Sequence, residues 1–228
     1  ADQATATTPP TQEQAPPPGF TSPTPETAES LGEAAGGPCS PAEMESVLAE
    51  ADLEALRQGL DGLMARLRQE GASLAGWALD ASGDPMAGEV IGDFLPFASL
   101  RYRREGNQEM VLLLSQMSEG LHGYLSACIS AEEYFLQGDV LAGATVTVEP
   151  LSLGDQATLA RIVQPVALES GDTGVTELET RMITMLVGDT LVQYVDIPAL
   201  AEVSGLATVP QEDAIALLSA LADVIRGL

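Results

Sequence analysis

The stretch that decides the fold is RMITMLVGDTLVQYVDI, residues 181–197. The dipeptide Gly188-Asp189 predicts a two-residue type II′ turn, because glycine readily takes a positive φ at the first turn position. That turn predicts the cross-strand pairs Val187 with Thr190, Met185 with Val192 and Ile183 with Tyr194. Both faces of the resulting hairpin are apolar. We therefore expect the hairpin to lie centrally in an antiparallel sheet and to be covered on both sides.

Further strands are predicted in the part of the chain that precedes this hairpin. The segment SLAGWAL (73–79) predicts one strand, and the turn EGNQ (105–108) separates two strand-like runs that predict a second hairpin. The segments GATVTVEPL (143–151) and ATLARIV (157–163) alternate in polarity or are rich in β-branched residues, as strands are.

Helical periodicity appears at both ends of the domain. SPAE begins a capping box at Ser40, and apolar residues then recur every three or four positions until Gly71, which predicts one long amphipathic helix. The segment 118–138 favours a further helix, and the closing segment from Thr208 predicts an amphipathic C-terminal helix with proline at its start. The predicted fold class is α+β: an antiparallel sheet with the long N-terminal helix and the C-terminal helix packed on it.

The first part of the chain differs sharply in composition from the rest. Residues 1–38 are rich in proline and threonine and offer no periodic apolar face. Such a composition favours an extended, disordered tail that spaces a domain from a surface. The sequence predicts this tail at 1–38 and a single α+β domain at 39–228.

The charge of the chain limits its partners. The formal net charge is −25, and all nine basic residues are arginines. A field this negative repels phosphate backbones and anionic lipids, so we expect no nucleic-acid partner. Metal cations, cationic ligands and basic proteins remain as partners, while solubility or adaptation to a salty or acidic medium is the plainer explanation of the acidity.

Residue counts also exclude several reaction chemistries. The absence of lysine removes phosphate-loop, Schiff-base and Ser-x-x-Lys mechanisms. A single histidine, His122, removes the multi-histidine zinc sites. The sequence predicts no cofactor.

The start of the chain and the two cysteines indicate a compartment. The sequence begins with alanine and a polar tail, so we interpret it as a mature secreted or periplasmic chain whose signal peptide has been removed. No apolar run reaches the length of a membrane span. Cys39 and Cys128 are an even pair, which in an exported chain favours a disulfide. The alternative is two separate thiols, with Cys128 buried and Cys39 exposed.

One basic cluster stands out on this acidic chain. Arg101, Arg103 and Arg104 surround Tyr102, and on a strand Arg101 and Arg103 share a face. The cluster could seat an anion or an acidic partner. The alternative is that these charges protect a sheet edge from pairing.

Two weaker patterns involve carboxylates. Glu132 and Asp139 could form a hydrolytic acid pair, although neighbouring acids arise by chance in a chain with 34 of them. DASGDP places Asp80, Ser82 and Asp84 at alternate positions, like half of a calcium loop, but it lacks the loop's glycine and bidentate glutamate. It predicts a turn with at most a weak cation site.

From Gly71 onward the chain resembles a known class of domain. The order GW, ASLRY, GDQA, LVGDTLVQYVDI and a closing helix is similar to sensor-type domains that bacterial secreted proteins and lipoproteins carry behind a Pro/Thr-rich linker. The resemblance covers about residues 71–228 and implies a non-catalytic role, with no functional residue to carry over. The main hypothesis is therefore a secreted or periplasmic binding or sensory module for a small ligand or a cell-envelope protein. The alternatives are a carboxylate-based hydrolase and a weak divalent-cation binder.

Overall fold

The computed structural model describes residues 39–80, 95–135, 143–167 and 175–228. They form one eight-stranded antiparallel sheet in the order β1-β2-β3-β4-β8-β7-β6-β5. The strands are β1 Ser73–Leu74, β2 Trp77–Leu79, β3 Ala98–Arg104, β4 Gln108–Gln116, β5 Thr145–Leu151, β6 Gln156–Ala167, β7 Val175–Val187 and β8 Thr190–Asp196. The helices are α1 Pro41–Ala49, α2 Leu53–Glu70, α3 Glu119–Cys128, α4 Glu132–Phe135, α5 Pro198–Ser204 and α6 Gln211–Gly227. The α+β class with an antiparallel sheet is confirmed.

The β7–β8 hairpin adopts the register that the sequence predicts. Val187 pairs with Thr190, Met185 with Val192 and Ile183 with Tyr194. Gly188 takes a φ of 53°, as the first position of a type II′ turn requires. The hairpin lies between β4 and β6 and is therefore central in the sheet.

The single long N-terminal helix was a wrong prediction, because two helices occupy that stretch. The side chain of Asp52 accepts a hydrogen bond of 3.1 Å from the Ala55 amide and is the N-cap of a new helix, α2. An aspartate that binds a nearby backbone amide competes with helix continuation, so the chain breaks between Ala49 and Leu53. The capping residue at the first helix is as predicted, since Ser40 accepts from the Glu43 amide at 3.3 Å.

The break sends the two helices to opposite faces of the sheet. On one face, which we call the α2/α6 face, side chains of α2 and α6 share a core with the even-numbered residues of β4, such as Leu112. On the other, the α1/α3 face, Leu48 of α1 and Leu121 of α3 pack with Leu186 and Leu191 of the central hairpin. Both faces of the hairpin are thus covered near its turn. The C-terminal helix packs on the sheet as predicted.

Other elements depart from the prediction in detail. SLAGWAL is not one strand but a tight hairpin, in which Leu74 pairs with Trp77 around a turn with positive φ at Ala75 and Gly76. Strand β6 runs longer than the predicted 157–163, to Ala167. The 105–107 turn between β3 and β4 and the helical nature of 119–128 agree with the prediction.

Several predictions fall outside the described residues. They include the tail 1–38, Ser82, Asp84 and Asp139, and nothing in the structure bears on them. Among the helices that are described, none has the length and apolar character needed to cross a membrane.

Candidate functional site

A disulfide joins the start of α1 to the end of α3. The Cα atoms of Cys39 and Cys128 lie 5.4 Å apart and their sulfurs are bonded, so the predicted pairing is confirmed. Next to it, the Tyr124 hydroxyl donates a hydrogen bond of 3.3 Å to the Ser40 carbonyl oxygen. These links hold α1 against α3 on the α1/α3 face.

The helix pair encloses one side of an apolar groove whose other side is the sheet. The groove has a volume of about 200 Å³. The helices contribute Met44, Leu48, Leu121 and Leu125 to its lining. The sheet and the segment that leads into β3 contribute Leu95, Phe97, Leu113 and Leu191.

The polar groups of the groove are few and uncharged. Ser115, Gln193 and Tyr134 are the polar side chains among the described residues that line it. Burial, followed by the neighbouring Tyr124, raises the pKa of Tyr134 to about 12, so its hydroxyl stays neutral at physiological pH. An apolar lining with a few hydrogen-bonding groups is typical of a site for a small organic molecule.

A second cavity opens where β4 and β8 separate. The ladder between the two strands runs from Gln116 paired with Thr190 to Leu112 paired with Tyr194, and it ends at this second pair. Beyond that point each strand still pairs with its outer neighbour, so the two form a fork. A cavity of about 240 Å³ lies in this fork, lined by Val111 and Val195 and by residues of the 197–209 segment.

The fork cavity carries the charged groups that the groove lacks. Glu109 lies 3.5 Å from Arg101 and 3.0 Å from Arg103, and Asp196 lies 3.2 Å from Arg181. Burial raises the pKa of Asp196 above its ordinary value, although Arg181 pulls that pKa down. Each carboxylate of the fork therefore already has an arginine partner.

The predicted arginine cluster is divided between the two faces of β3. Arg101 and Arg103 share a face, as expected, and both contact Glu109. The Arg104 guanidinium instead lies 4.7 Å from the Trp77 ring centroid on the opposite side and pairs with Asp213 at 2.5 Å. Strand β3 lies between β2 and β4 and is not the edge strand that the alternative assumed. Anion binding by these arginines stays a prediction, and their existing carboxylate partners weigh against it.

The two carboxylate patterns find little support. Glu132 is exposed on the short helix α4, and its proposed partner Asp139 is not described. Asp80 of DASGDP forms an ion pair of 3.0 Å with Arg103. In the part of the chain that the structure describes, no group of histidine, cysteine and acidic side chains is arranged to hold a metal ion. Both alternatives stay hypotheses.

Sequence reasoning missed both cavities. The signal for the fork was present in the apolar, outward-facing Val111 and Val195, which are 37% and 41% exposed. Their positions on one face follow from strand alternation, but the end of the β4–β8 ladder depends on long-range pairing that no local pattern reveals. The groove could have been predicted only with the knowledge that α1 and α2 cover different faces of the sheet.

Comparisons with known proteins add no constraint. Neither a scan against protein-family models nor searches of curated proteins and of solved structures return a match for this chain. The resemblance to bacterial sensor-type domains stays a prediction.

Proposed function

We propose that this protein is a non-catalytic secreted or periplasmic binding module that holds a small, uncharged, largely apolar ligand in the groove of the α1/α3 face. The observation that carries the proposal is an uncharged, largely apolar groove on a chain that is otherwise dense in charge. A formal net charge of −25 leaves few surfaces without a carboxylate, yet no charged side chain among the described residues lines this groove.

The absence of charge in the lining of the groove favours a ligand that is itself uncharged. An ion transferred from water into such a lining would lose its hydration without gaining a counter-charge. A neutral apolar molecule gains from leaving water, and Gln193, Ser115 and Tyr134 supply hydrogen bonds that orient it.

The compartment rests on the disulfide. Bonds of this kind form and persist in oxidising environments such as the periplasm and the extracellular space. The Cys39–Cys128 bond tethers α1, which contributes Met44 and Leu48 to the groove. Ligand binding would thus depend on the oxidising compartment in which this bond forms.

Titration with a neutral fluorescent probe, N-phenyl-1-naphthylamine, tests the proposal. We expect a saturable rise in emission with the oxidised protein. Leu113→Asp, which places a charge in the groove, should abolish the rise, and Leu113→Phe, which fills the groove without adding charge, should weaken it. Leu53→Asp is the matched control, because Leu53 is 36% exposed on α2, away from the groove.

The controls keep folding apart from binding. Far-UV circular dichroism and thermal unfolding identify any variant that fails to fold. A wild-type protein that gives no saturable rise, or a folded Leu113→Phe variant that binds as tightly as the wild type, would contradict the groove as the binding site.

A further inference from the structure

We propose that the groove and the fork cavity are two parts of one trough, and that its ligand is a single-chain amphiphile with an uncharged, hydrogen-bond-donating head group. The alkyl chain lies in the groove and along the sheet, and the head lies in the fork. The inference rests on the proposed function and specifies the ligand class for that site.

The two cavities share one floor. Ser115 and Leu113 of β4 line the groove, and the next residues on the same face of that strand, Val111 and Glu109, line the fork cavity. On β8, Leu191 and Gln193 of the groove continue as Val195 of the fork. At the ordinary strand rise, the distance from residue 115 to residue 109 is about 20 Å, which suits a long linear chain.

Exposure along this floor rises from the groove to Val111 and Val195. On β8, Leu191 is buried, Gln193 is half-buried and Val195 is 41% exposed. On β4, Ser115 is buried, Leu113 is half-buried and Val111 is 37% exposed. The trough is therefore covered beneath α1 and α3 and open at the fork, so that a chain enters tail first and leaves its head at the open end.

The polar groups at the open end select the head. Glu109, on the same face of β4 as Val111, presents carboxylate oxygens to the fork. Beyond Leu112 and Tyr194 the backbones of β4 and β8 no longer pair with each other. A hydroxyl-bearing head can donate hydrogen bonds to these acceptors. A carboxylate or phosphate head would lie close to the Glu109 carboxylate and would have to displace it from Arg101 and Arg103, so an anionic amphiphile is the poorer fit.

The test is a chain-length series of 1-monoacylglycerols, from hexanoyl to palmitoyl, measured by displacement of bound N-phenyl-1-naphthylamine below the aggregation limit of each lipid. We expect the affinity to rise by about four-fold for each added methylene that is buried, and the rise to continue beyond the length that fills the groove alone. The matching free fatty acids should bind more weakly than the monoacylglycerols of equal chain length.

Val195→Asp separates this inference from the proposed function. Val195 lines the fork and not the groove, so the variant should weaken binding of the palmitoyl lipid at least ten-fold while leaving the hexanoyl lipid unchanged. Leu53→Asp should change neither. Val111→Asn provides a second variant of the same floor in case Val195→Asp fails to fold.

Each other outcome has a definite meaning. Affinity that stops rising at the shortest lipids, together with a harmless Val195→Asp, overturns the single trough and leaves the groove site intact. Tighter binding of free fatty acids overturns the head assignment. A dimer in size-exclusion chromatography that Val195→Asp disrupts would identify the fork as a contact between copies and overturn the inference. Failure of the probe and of every lipid to bind overturns the proposed function as well.

Discussion

The Asp155 carboxylate accepts a hydrogen bond of 2.7 Å from the backbone N–H of Gly188. The bond connects the turn between β5 and β6 to the turn between β7 and β8. Arg226, near the end of α6, lies 3.2 Å from the other oxygen of the same carboxylate. The Gly188 hydrogen bond, with help from Arg226, holds the pKa of Asp155 below its ordinary value. One carboxylate thus links two hairpin turns and the C-terminal helix.

Asp155→Asn should destabilise the protein at neutral pH and have a smaller effect in acid. A carboxyl whose folded pKa is lowered stabilises the fold at pH values above its unfolded pKa, and that contribution is lost as pH falls through the folded pKa. Because the side chain is half-exposed, we expect a loss of about 1 kcal/mol in the free energy of unfolding at pH 7. Urea unfolding at pH 7 and near pH 3 measures it. Asp189→Asn, an exposed acid in the adjacent turn, is the control, and an effect that persists undiminished in acid would contradict the linkage.

Gly154→Ala should be more damaging than Gly188→Ala, although both glycines have similar positive φ values of 57° and 53°. A Cβ on Gly154 would collide with the Leu186 carbonyl oxygen and lie 2.7 Å from Cγ of Met185, whereas a Cβ on Gly188 meets open space. We expect Gly188→Ala to cost about 1–2 kcal/mol from backbone strain alone, and Gly154→Ala to cost about 3 kcal/mol or more. Equal losses in thermal unfolding of the two variants would show that the collision relaxes.

Local patterns were sufficient for much of the fold. The Gly188-Asp189 turn signal and the flanking alternation specify a hairpin register, and the structure has that register residue by residue. The helix that ends at Cys128 and the β3–β4 hairpin were also recognisable from their own residues. In these segments the local preference and the tertiary structure agree.

The sequence failed where one pattern admits two structures. The apolar period of three and four runs from Met44 to Leu67, and it fits one straight helix as well as two helices that cover different faces. The capping role of Asp52 decides between them, and an aspartate within an apolar period gives little warning of it. The groove depends on the separation of α1 from α2, and the fork cavity depends on the end of the β4–β8 ladder. Apart from Cys39 and Cys128, the candidate site could therefore not be predicted from the sequence.

Ala75→Asn should stabilise the protein. Ala75 has a φ of 50° in the two-residue turn between β1 and β2, and Gly76 follows at 81°. An alanine in left-handed backbone is strained, whereas Asn-Gly is the preferred sequence of a turn with two positive φ values. We expect the free energy of unfolding to rise by about 0.5–1 kcal/mol, seen as a higher thermal midpoint. Ala75→Val, which is β-branched and tolerates positive φ poorly, should lower the midpoint, and a gain from valine would contradict the turn geometry.

Loss of the disulfide should remove the groove as well as lower stability. The bond joins residues separated by 89 positions, so the chain-entropy model gives a loss of about 4 to 5 kcal/mol for the Cys39→Ala/Cys128→Ala double variant. Helix α1 has nine residues, a length at which an isolated helix is marginal in water, and without its tether Met44 and Leu48 would leave the groove. We therefore expect the folded double variant to bind N-phenyl-1-naphthylamine far more weakly than the wild type. Dithiothreitol should reproduce this loss in the wild type and change nothing in the double variant. A folded double variant that binds the probe with wild-type affinity would show that α1 remains in place through Leu48 and its neighbours alone, and that the bond stabilises the fold without maintaining the groove.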